Sequence, residues 1–283
     1  MKANQVYQQL EADFITSGMS DDWAQYMHSI ADYLCDNFKH RSMGLVCDFT
    51  TRIDQVYTAV FPSDDVMRRI LDEGAQDAML LVHHASTWDI RKAPNVFQQM
   101  DRNLLQQFKA ERISIYCLHV PLDNWGEHST SITLARALGI EPKEQFAPYF
   151  GAMVGVFGIA DCISRETMRD RFQIATKHAV SLYNYGDAEL KDGRIAVLAG
   201  GGNTVDMLTQ VKHANINTLI TGITVKNEWS KKAHQYAEEA KINILGGTHY
   251  STEKFACVSM VEYFEDLGLP CKFVADEPVM EDL

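Results

Sequence analysis

The sequence predicts an α/β protein made of two lobes of repeated strand–helix units with mainly parallel or mixed sheets. Short apolar runs rich in β-branched residues alternate with longer segments whose apolar residues recur every three or four positions. This series occurs twice along the chain, and no low-complexity linker separates the two occurrences. Alternating strands and helices favour parallel sheets with helical crossovers. We expect interlocked lobes at about residues 41–140 and 194–283, with a connecting segment at 141–193.

The first forty residues are predicted to be helical, because apolar side chains have helical spacing over residues 6–14 and 21–38. A strand follows over residues 56–61, where β-branched and aromatic residues cluster before Pro62. Ser63 or Asp64 is a suitable N-cap for the next helix, which extends through residue 71.

The later elements follow the same reasoning. In the first lobe we predict strands at 78–84 and 113–119 and helices at 96–108 and 129–138. In the connecting segment we predict strands at 154–159 and 180–185 around a helix at 165–176. In the second lobe we predict strands at 195–199, 218–221 and 242–245 and helices at 205–213, 229–240 and 249–267.

Charge and composition exclude some function classes. The formal net charge of −12 argues against general binding to nucleic acid, which needs clustered basic residues. The first residues lack the apolar core of a signal peptide, and no stretch is long enough to cross a bilayer. The cysteines are scattered without metal-ligand spacing, which is typical of free thiols in a reducing compartment. We therefore expect a cytoplasmic protein.

Three polar clusters follow apolar runs that are predicted to be strands. The first is His83 and His84, the second contains Asp123, and the third contains His249 and Glu253. Because ligands of open α/β sheets bind at the carboxyl ends of the strands, we expect these clusters to converge on one cleft. Imidazoles and carboxylates without thiolates are typical of a transition-metal site that does hydrolytic or redox chemistry. Adjacent histidines at a strand end should point apart and so serve two ions rather than one.

A glycine-rich turn at residues 200–204 lies between a predicted strand and helix. Its backbone N–H groups would suit a phosphate, but it lacks the P-loop lysine, and a tight strand-to-helix turn explains it equally well. A nucleotide-binding module without metal would rest on this turn alone.

Other nearby residues allow more than one interpretation. Trp88 and Trp125 would either wall the cleft or stack on a heterocyclic substrate. Asp89, Lys226 and Glu228 are candidates for proton transfer, and nothing in their spacing selects among them. The remaining histidines are interpreted as ordinary hydrogen-bonded residues and are assigned no role: His28, His40, His128, His178, His213 and His234.

The chain resembles the NIF-three-like family, whose members are often labelled GTP cyclohydrolase 1 type 2 homologues. The resemblance runs from about residue 43 to 264 and is carried by LVHH at 81–84, HVPLD at 119–123 and THYSTE at 248–253. The AVLAGGG run at 196–202 and the Thr-Gly step at 221–222 also match. The chain departs from the family in having Ala85 after the histidine pair and Phe61 where an aspartate is usual.

The resemblance implies two intertwined α/β lobes, a dinuclear metal site and, commonly, a toroidal hexamer. By matching position, the implied metal ligands are the five residues His83, His84, Asp123, His249 and Glu253. His119 matches a histidine beside the ligands, one contact removed from the metals or near the substrate.

Residues and resemblance together favour a dinuclear-metal-dependent hydrolase of the cyclohydrolase or phosphoester type that uses a metal-bridging water. The whole chain, 1–283, would form one metal-binding unit holding two divalent ions. Zinc, manganese, iron, cobalt and nickel all accept these donors. The expected partners are a small, nucleotide-like substrate and further copies of the chain. The alternative is a metal-stabilised interaction or regulatory protein without catalysis.

Overall fold

The computed structural model describes residues 1–89, 92 and 95–283. The strands are β1 Gly44–Cys47, β2 Gln55–Ala59, β3 Ala78–Val82, β4 Thr87–Trp88, β5 Phe97–Gln98, β6 Ile113–Cys117, β7 Ile140–Tyr149, β8 Ala152–Ala160, β9 Ser181–Tyr183, β10 Arg194–Leu198, β11 Thr218–Gly222, β12 Asn243–Gly247 and β13 Cys271–Phe273. The α-helices are α1 Ala3–Phe14, α2 Asp36–Arg41, α3 Asp64–Asp72, α4 Arg102–Ala110, α5 His119–Asp123, α6 Thr130–Ala137, α7 Arg165–Thr176, α8 Val205–His213, α9 Lys231–Ala240 and α10 His249–Asp266.

The chain forms two compact units, each assembled from three segments. The first unit contains Met1–Leu122, Phe150–Ala152 and Cys257–Glu277. The second contains Asp123–Tyr149, Met153–Ala256 and Pro278–Leu283. The lobe boundaries expected from the sequence stay predictions.

The first unit is built on a five-stranded sheet in the order β1-β6-β3-β2-β13. Strands β13, β2, β3 and β6 are mutually parallel, and β1 runs antiparallel to β6 at the edge. Every residue of β3 and β6 is buried, as expected for parallel strands covered on both faces. In the β3–β6 register Val82 lies opposite Cys117, so the residues after both strands leave the sheet at the same edge.

The second unit is built on a six-stranded sheet in the order β7-β8-β10-β11-β12-β9. Its central strands β10, β11 and β12 are parallel, whereas β8 and β9 pair antiparallel with them. Leu198 lies opposite Thr221, and Gly222 lies opposite Gly247. The glycine-rich turn after β10 and the start of α10 after β12 therefore share one edge of this sheet.

The predicted α/β class with mixed, largely parallel sheets is confirmed. The helix predicted at 21–38 is wrong, because the chain there forms 3-10 turns at Trp23–Tyr26 and His28–Ile30 and then α2. The apolar spacing reflects burial of Trp23, Met27 and Ile30 in the core rather than a continuous helix. Tertiary hydrogen bonds replace helical ones, since the Cys35 N–H donates to the Val46 carbonyl at 2.8 Å.

Other boundaries also differ from the sequence prediction, among them those of one helix and one strand of the first unit. The helix predicted at 96–108 begins only at Arg102, because the Asp101 side chain caps it by accepting from the Asn103 and Leu104 N–H groups. The strand predicted at 113–119 ends at Cys117, so that His119 begins helix α5 instead of ending a strand.

Within the described residues, no helix combines the length and apolar character that a membrane crossing needs. All six cysteines are free thiols, four of them buried, in agreement with the expectation from their spacing.

Candidate metal centre

Three buried histidines meet at the carboxyl edge of the first unit's sheet. His83 and His84 follow β3 directly, and their N–H groups donate to the Ala59 and Val60 carbonyls at 3.1 and 2.9 Å. His119 begins α5 two residues after β6. One ligand atom from each of the three imidazoles lies within 4.8 Å of the others. The parallel register of β3 and β6 thus brings together residues that are 35 positions apart.

The expectation that His83 and His84 point apart is wrong. Their ring centroids are 4.4 Å apart with an interplanar angle of 69°. The physical reason is that strict alternation belongs to extended strand, whereas residues 83–86 form a series of bends after β3 ends at Val82.

Backbone and aromatic contacts orient these imidazoles. The Nδ1 atom of His83 lies 3.2 Å from the Leu118 carbonyl oxygen, a contact that places the proton on Nδ1 and leaves Nε2 as the metal-binding atom. The His84 ring stacks on Phe61 at 4.8 Å and 17°. The edge of Trp23 packs against the same ring at 5.3 Å. Phe61, which departs from the family pattern, therefore holds a candidate ligand in place.

Sequence reasoning missed two residues of this cluster, Asp21 and Trp23. Both contact His119 at Nδ1: the Asp21 Oδ2 atom at 2.7 Å and the Trp23 Nε1 atom at 2.9 Å. The helical spacing of apolar residues around position 23 is a signal of burial that could have pointed to Trp23, but no pattern distinguished Asp21 from its acidic neighbour Asp22.

In the second unit, His249 and Glu253 form a buried pair on one face of α10. The His249 Nε2 atom lies 3.2 Å from Glu253 Oε1, as expected for residues four positions apart on a helix. Two donor atoms that bind the same ion, each at 2.0–2.2 Å, lie about this far apart. The start of the helix is held by Asp282, whose Oδ2 accepts from the His249 N–H at 2.8 Å.

The glycine-rich turn packs tightly against this pair. Gly200 has φ +71°, and the Cβ of any other residue there would overlap the Oε1 atom of Glu253. The Gly200 N–H donates to Thr252 Oγ1 at 3.0 Å, and the Gly202 N–H donates to Thr221 Oγ1 at 3.1 Å. Because protein acceptors already use these N–H groups, the structure favours the tight turn over a phosphate cradle.

Asp123 lies in the second unit at the end of α5, and its carboxylate is oriented by its own neighbours. The Thr130 hydroxyl donates to Asp123 Oδ1 at 2.6 Å, and the Ser129 hydroxyl donates to the Asp123 carbonyl at 3.0 Å. These bonds place the carboxylate next to the N-terminus of α6, where a negative charge is favourable.

Three other residues that the sequence analysis named near the cleft pack or pair with neighbouring side chains. Trp88 packs edge-on against Phe97 at 5.0 Å. Buried Asp89 pairs with Lys92 at 3.5 Å, and the Lys226 ammonium lies 5.2 Å from the centre of the Tyr183 ring.

Trp125 lines an open groove of about 780 Å³ in the second unit. Among the unassigned histidines, His234 is buried and bonded to the Thr224 carbonyl, and burial lowers its pKa. These contacts agree with its interpretation as an ordinary structural histidine.

The donor set fits a transition-metal ion. In the described part of the chain, the candidate metal-binding groups contain imidazole nitrogens and carboxylate oxygens but no cysteine sulfur. Structural zinc sites are commonly rich in cysteine, whereas nitrogen and oxygen donors are typical of sites that keep a position for water. The buried histidines and glutamate can therefore bind metal, and the chemistry of the set favours a reactive site.

Residues 21–277 match the sequence profile of the family described as Duf34/NIF3 (NGG1p interacting factor 3). The chain belongs to the Duf34/NIF3 family. Its relatives include a protein of Pyrococcus horikoshii called GTP cyclohydrolase 1 type 2 homolog, 27% identical over 231 residues, covering 80% of this chain and 86% of the relative. A protein of Deinococcus radiodurans with the same name is 25% identical over 234 residues, covering 82% of this chain and 83% of the relative.

Solved structures share this Duf34/NIF3 fold. A structure titled protein ybgI, of unknown function, superposes with a TM-score of 0.77 at 20% identity, covering 99% of this chain and 100% of that one. The protein TTHA1606 from Thermus thermophilus gives a TM-score of 0.70 at 19% identity, covering 99% of this chain and 100% of that one. At these identities the likeness establishes the fold alone.

Proposed function

We propose that this chain is a dinuclear-metal-dependent hydrolase of the cyclohydrolase or phosphoester type. In this proposal His83, His84, Asp123, His249 and Glu253 are the metal ligands. The observation that carries the proposal is the recurrence of one arrangement in both units. At the edge where parallel strands end, the first unit has three buried imidazoles within metal-binding distance, and the second unit has one buried imidazole beside a carboxylate.

Divalent ions held by these residues would lower the pKa of a bound water and polarise the electrophile. The chain's own residues supply the orientation that this chemistry needs. The Leu118 carbonyl fixes the tautomer of His83, Thr130 orients Asp123, and Asp282 holds the helix that carries His249 and Glu253. Such contacts raise metal affinity because they hold the ligand side chains in the orientation that binding needs.

The relatives' shared name supports a nucleotide-like substrate, because it refers to a GTP cyclohydrolase. A second candidate function is a metal-stabilised interaction or regulatory protein without catalysis, and the family description, which refers to an interacting factor, supports it. We further propose a cytoplasmic location and a homo-oligomer, with a hexamer as the form that the family resemblance favours.

The hydrolase proposal predicts activity that depends on metal. Protein stripped with chelator and reconstituted separately with zinc, manganese, iron, cobalt or nickel should hydrolyse at least one member of a panel of nucleoside triphosphates and phosphoesters. Phosphate release and changes in the purine absorption spectrum report the two reaction types. Chelation should lower the rate by about 100-fold or more, because both nucleophile and electrophile depend on the ions.

The control is His213→Ala, which removes an exposed histidine of the second unit and should leave the rate unchanged. Turnover that survives chelation would contradict the metal mechanism. A metal-loaded protein that is inactive across the whole panel would favour the interaction protein.

A further inference from the structure

The side chain of Asp21 is buried against His119 in the first unit. Its Oδ2 atom lies 2.7 Å from His119 Nδ1, and none of the side chain is exposed to solvent. The other carboxylate oxygen, Oδ1, accepts from the Asp22 N–H at 2.8 Å. A buried carboxylate is costly unless it is hydrogen-bonded, so this placement needs a compensating contact, and His119 supplies it.

The same nitrogen of His119 also faces an N–H donor. The Trp23 indole nitrogen lies 2.9 Å from Nδ1. The two contacts need opposite states of Nδ1: it must carry a hydrogen to donate to Asp21, and must lack one to accept from Trp23. A bond to a carboxylate is charge-assisted and about twice as strong as a neutral one, so the bond to Asp21 is favoured.

A hydrogen on Nδ1 leaves Nε2 as the metal-binding atom of a neutral His119. His83 has the same arrangement, because its Nδ1 faces the Leu118 carbonyl. His119 is also one of the three imidazoles whose ligand atoms lie within 4.8 Å of one another. Metal-bound histidines characteristically donate their second N–H to a carboxylate or a carbonyl.

We propose that His119 is itself a metal ligand and that Asp21 is the positioning residue that orients it. This inference rests on the proposed metal centre and adds a sixth protein donor to it. It also assigns a role to the N-terminal segment, in which the sequence shows no metal-binding pattern. Asp21 acts through His119 and has no contact with the ion in this proposal.

The test is the affinity for Zn²⁺, measured by competition with a chromophoric chelator, for the full chain and its variants. Asp21→Asn should bind zinc 10–100-fold more weakly than the wild type, the usual cost of losing an outer carboxylate. Asp22→Asn, which removes the same charge from an exposed neighbour, should bind like the wild type. Thermal unfolding of the metal-free proteins establishes whether each variant is folded.

Two further variants separate positioning from a general structural role. Because Asp21 acts through His119, the double variant Asp21→Asn/His119→Ala should bind zinc no more weakly than His119→Ala alone. His119→Ala by itself should bind zinc more than about 100-fold more weakly than the wild type, because it removes a direct ligand. The visible absorption spectrum of bound Co²⁺ should change in Asp21→Asn and stay constant in Asp22→Asn.

Each opposite result overturns the inference. Asp21→Asn with wild-type affinity would remove its positioning role, and additive effects in the double variant would show that Asp21 does not act through His119. Wild-type zinc affinity in His119→Ala would show that His119 is not a ligand. If Asp21→Asn does not fold, the zinc affinity of His119→Ala still tests whether His119 is a ligand. A wild-type protein that binds no zinc would instead refute the proposed metal centre itself.

Discussion

Replacing His249 or Glu253 with alanine is expected to abolish metal binding by the donor pair on α10 and the activity that depends on it. The two side chains lie 3.2 Å apart and are buried, so each is positioned to bind the same ion as the other. Loss of even an outer contact costs 10–100-fold in metal affinity, so loss of a direct ligand should cost more than about 100-fold. Elemental analysis and zinc competition measure the effect, and turnover should fall with metal content.

His213→Ala is the matched control, because it removes an exposed imidazole from helix α8 of the same unit. It should keep full metal content. Undiminished metal in both His249→Ala and Glu253→Ala would refute their assignment as ligands, whatever happened to the rate.

Gly200→Ala is expected to damage the same centre without touching a ligand. The new Cβ would overlap Glu253 Oε1 and lie 3.3 Å from Glu253 Cδ and 3.5 Å from His249 Nε2. In addition, φ at Gly200 is +71°, a conformation that costs an L-residue about 1–2 kcal/mol. Because overpacking typically adds a cost of 1–3 kcal/mol, we expect the free energy of unfolding to fall by about 2–5 kcal/mol. Zinc affinity should fall at least about tenfold, since Glu253 must move.

Gly201→Ala is the control for this prediction. Gly201 is exposed, its φ lies outside the left-handed region, and the nearest atom to an added Cβ is Ile223 Cδ1 at 3.8 Å. Its stability should change by less than about 0.5 kcal/mol. Chemical denaturation of both variants without metal separates backbone strain from loss of the ion. Wild-type zinc affinity in Gly200→Ala would contradict the packing of this turn against Glu253.

The sequence predicted the parts of this fold that depend on local signals. Strand β3 is a short, fully buried apolar run, and β11 is a short, fully buried segment rich in β-branched residues, so each could be recognised by itself. Helices α7 and α8 begin after Ser164 and Thr204, whose side chains accept from backbone N–H groups as N-caps do. The histidine and glutamate clusters followed from their position after such strands.

Other parts depend on partners that are remote in sequence. Strand β13 has only three residues and exists because Cys271–Phe273 pairs with Val56–Thr58. Strand β7 contains several charged, exposed residues, so no apolar pattern marks it. The role of Asp21 could not be predicted for the same reason, because it depends on a histidine 98 positions away. The sequence also left open whether the glycine-rich turn binds phosphate or is only a tight turn. The close packing of Gly200 against Glu253 favours the tight turn.

The metal content of the wild-type protein shows whether each chain binds two ions. Protein purified without added metal should be analysed for zinc, manganese, iron, cobalt and nickel, with the amount expressed per chain. After reconstitution we expect about two divalent ions per chain, in keeping with a dinuclear site. A chain that folds normally and retains less than about 0.2 equivalents, even after reconstitution at concentrations far above typical site affinities, would contradict it.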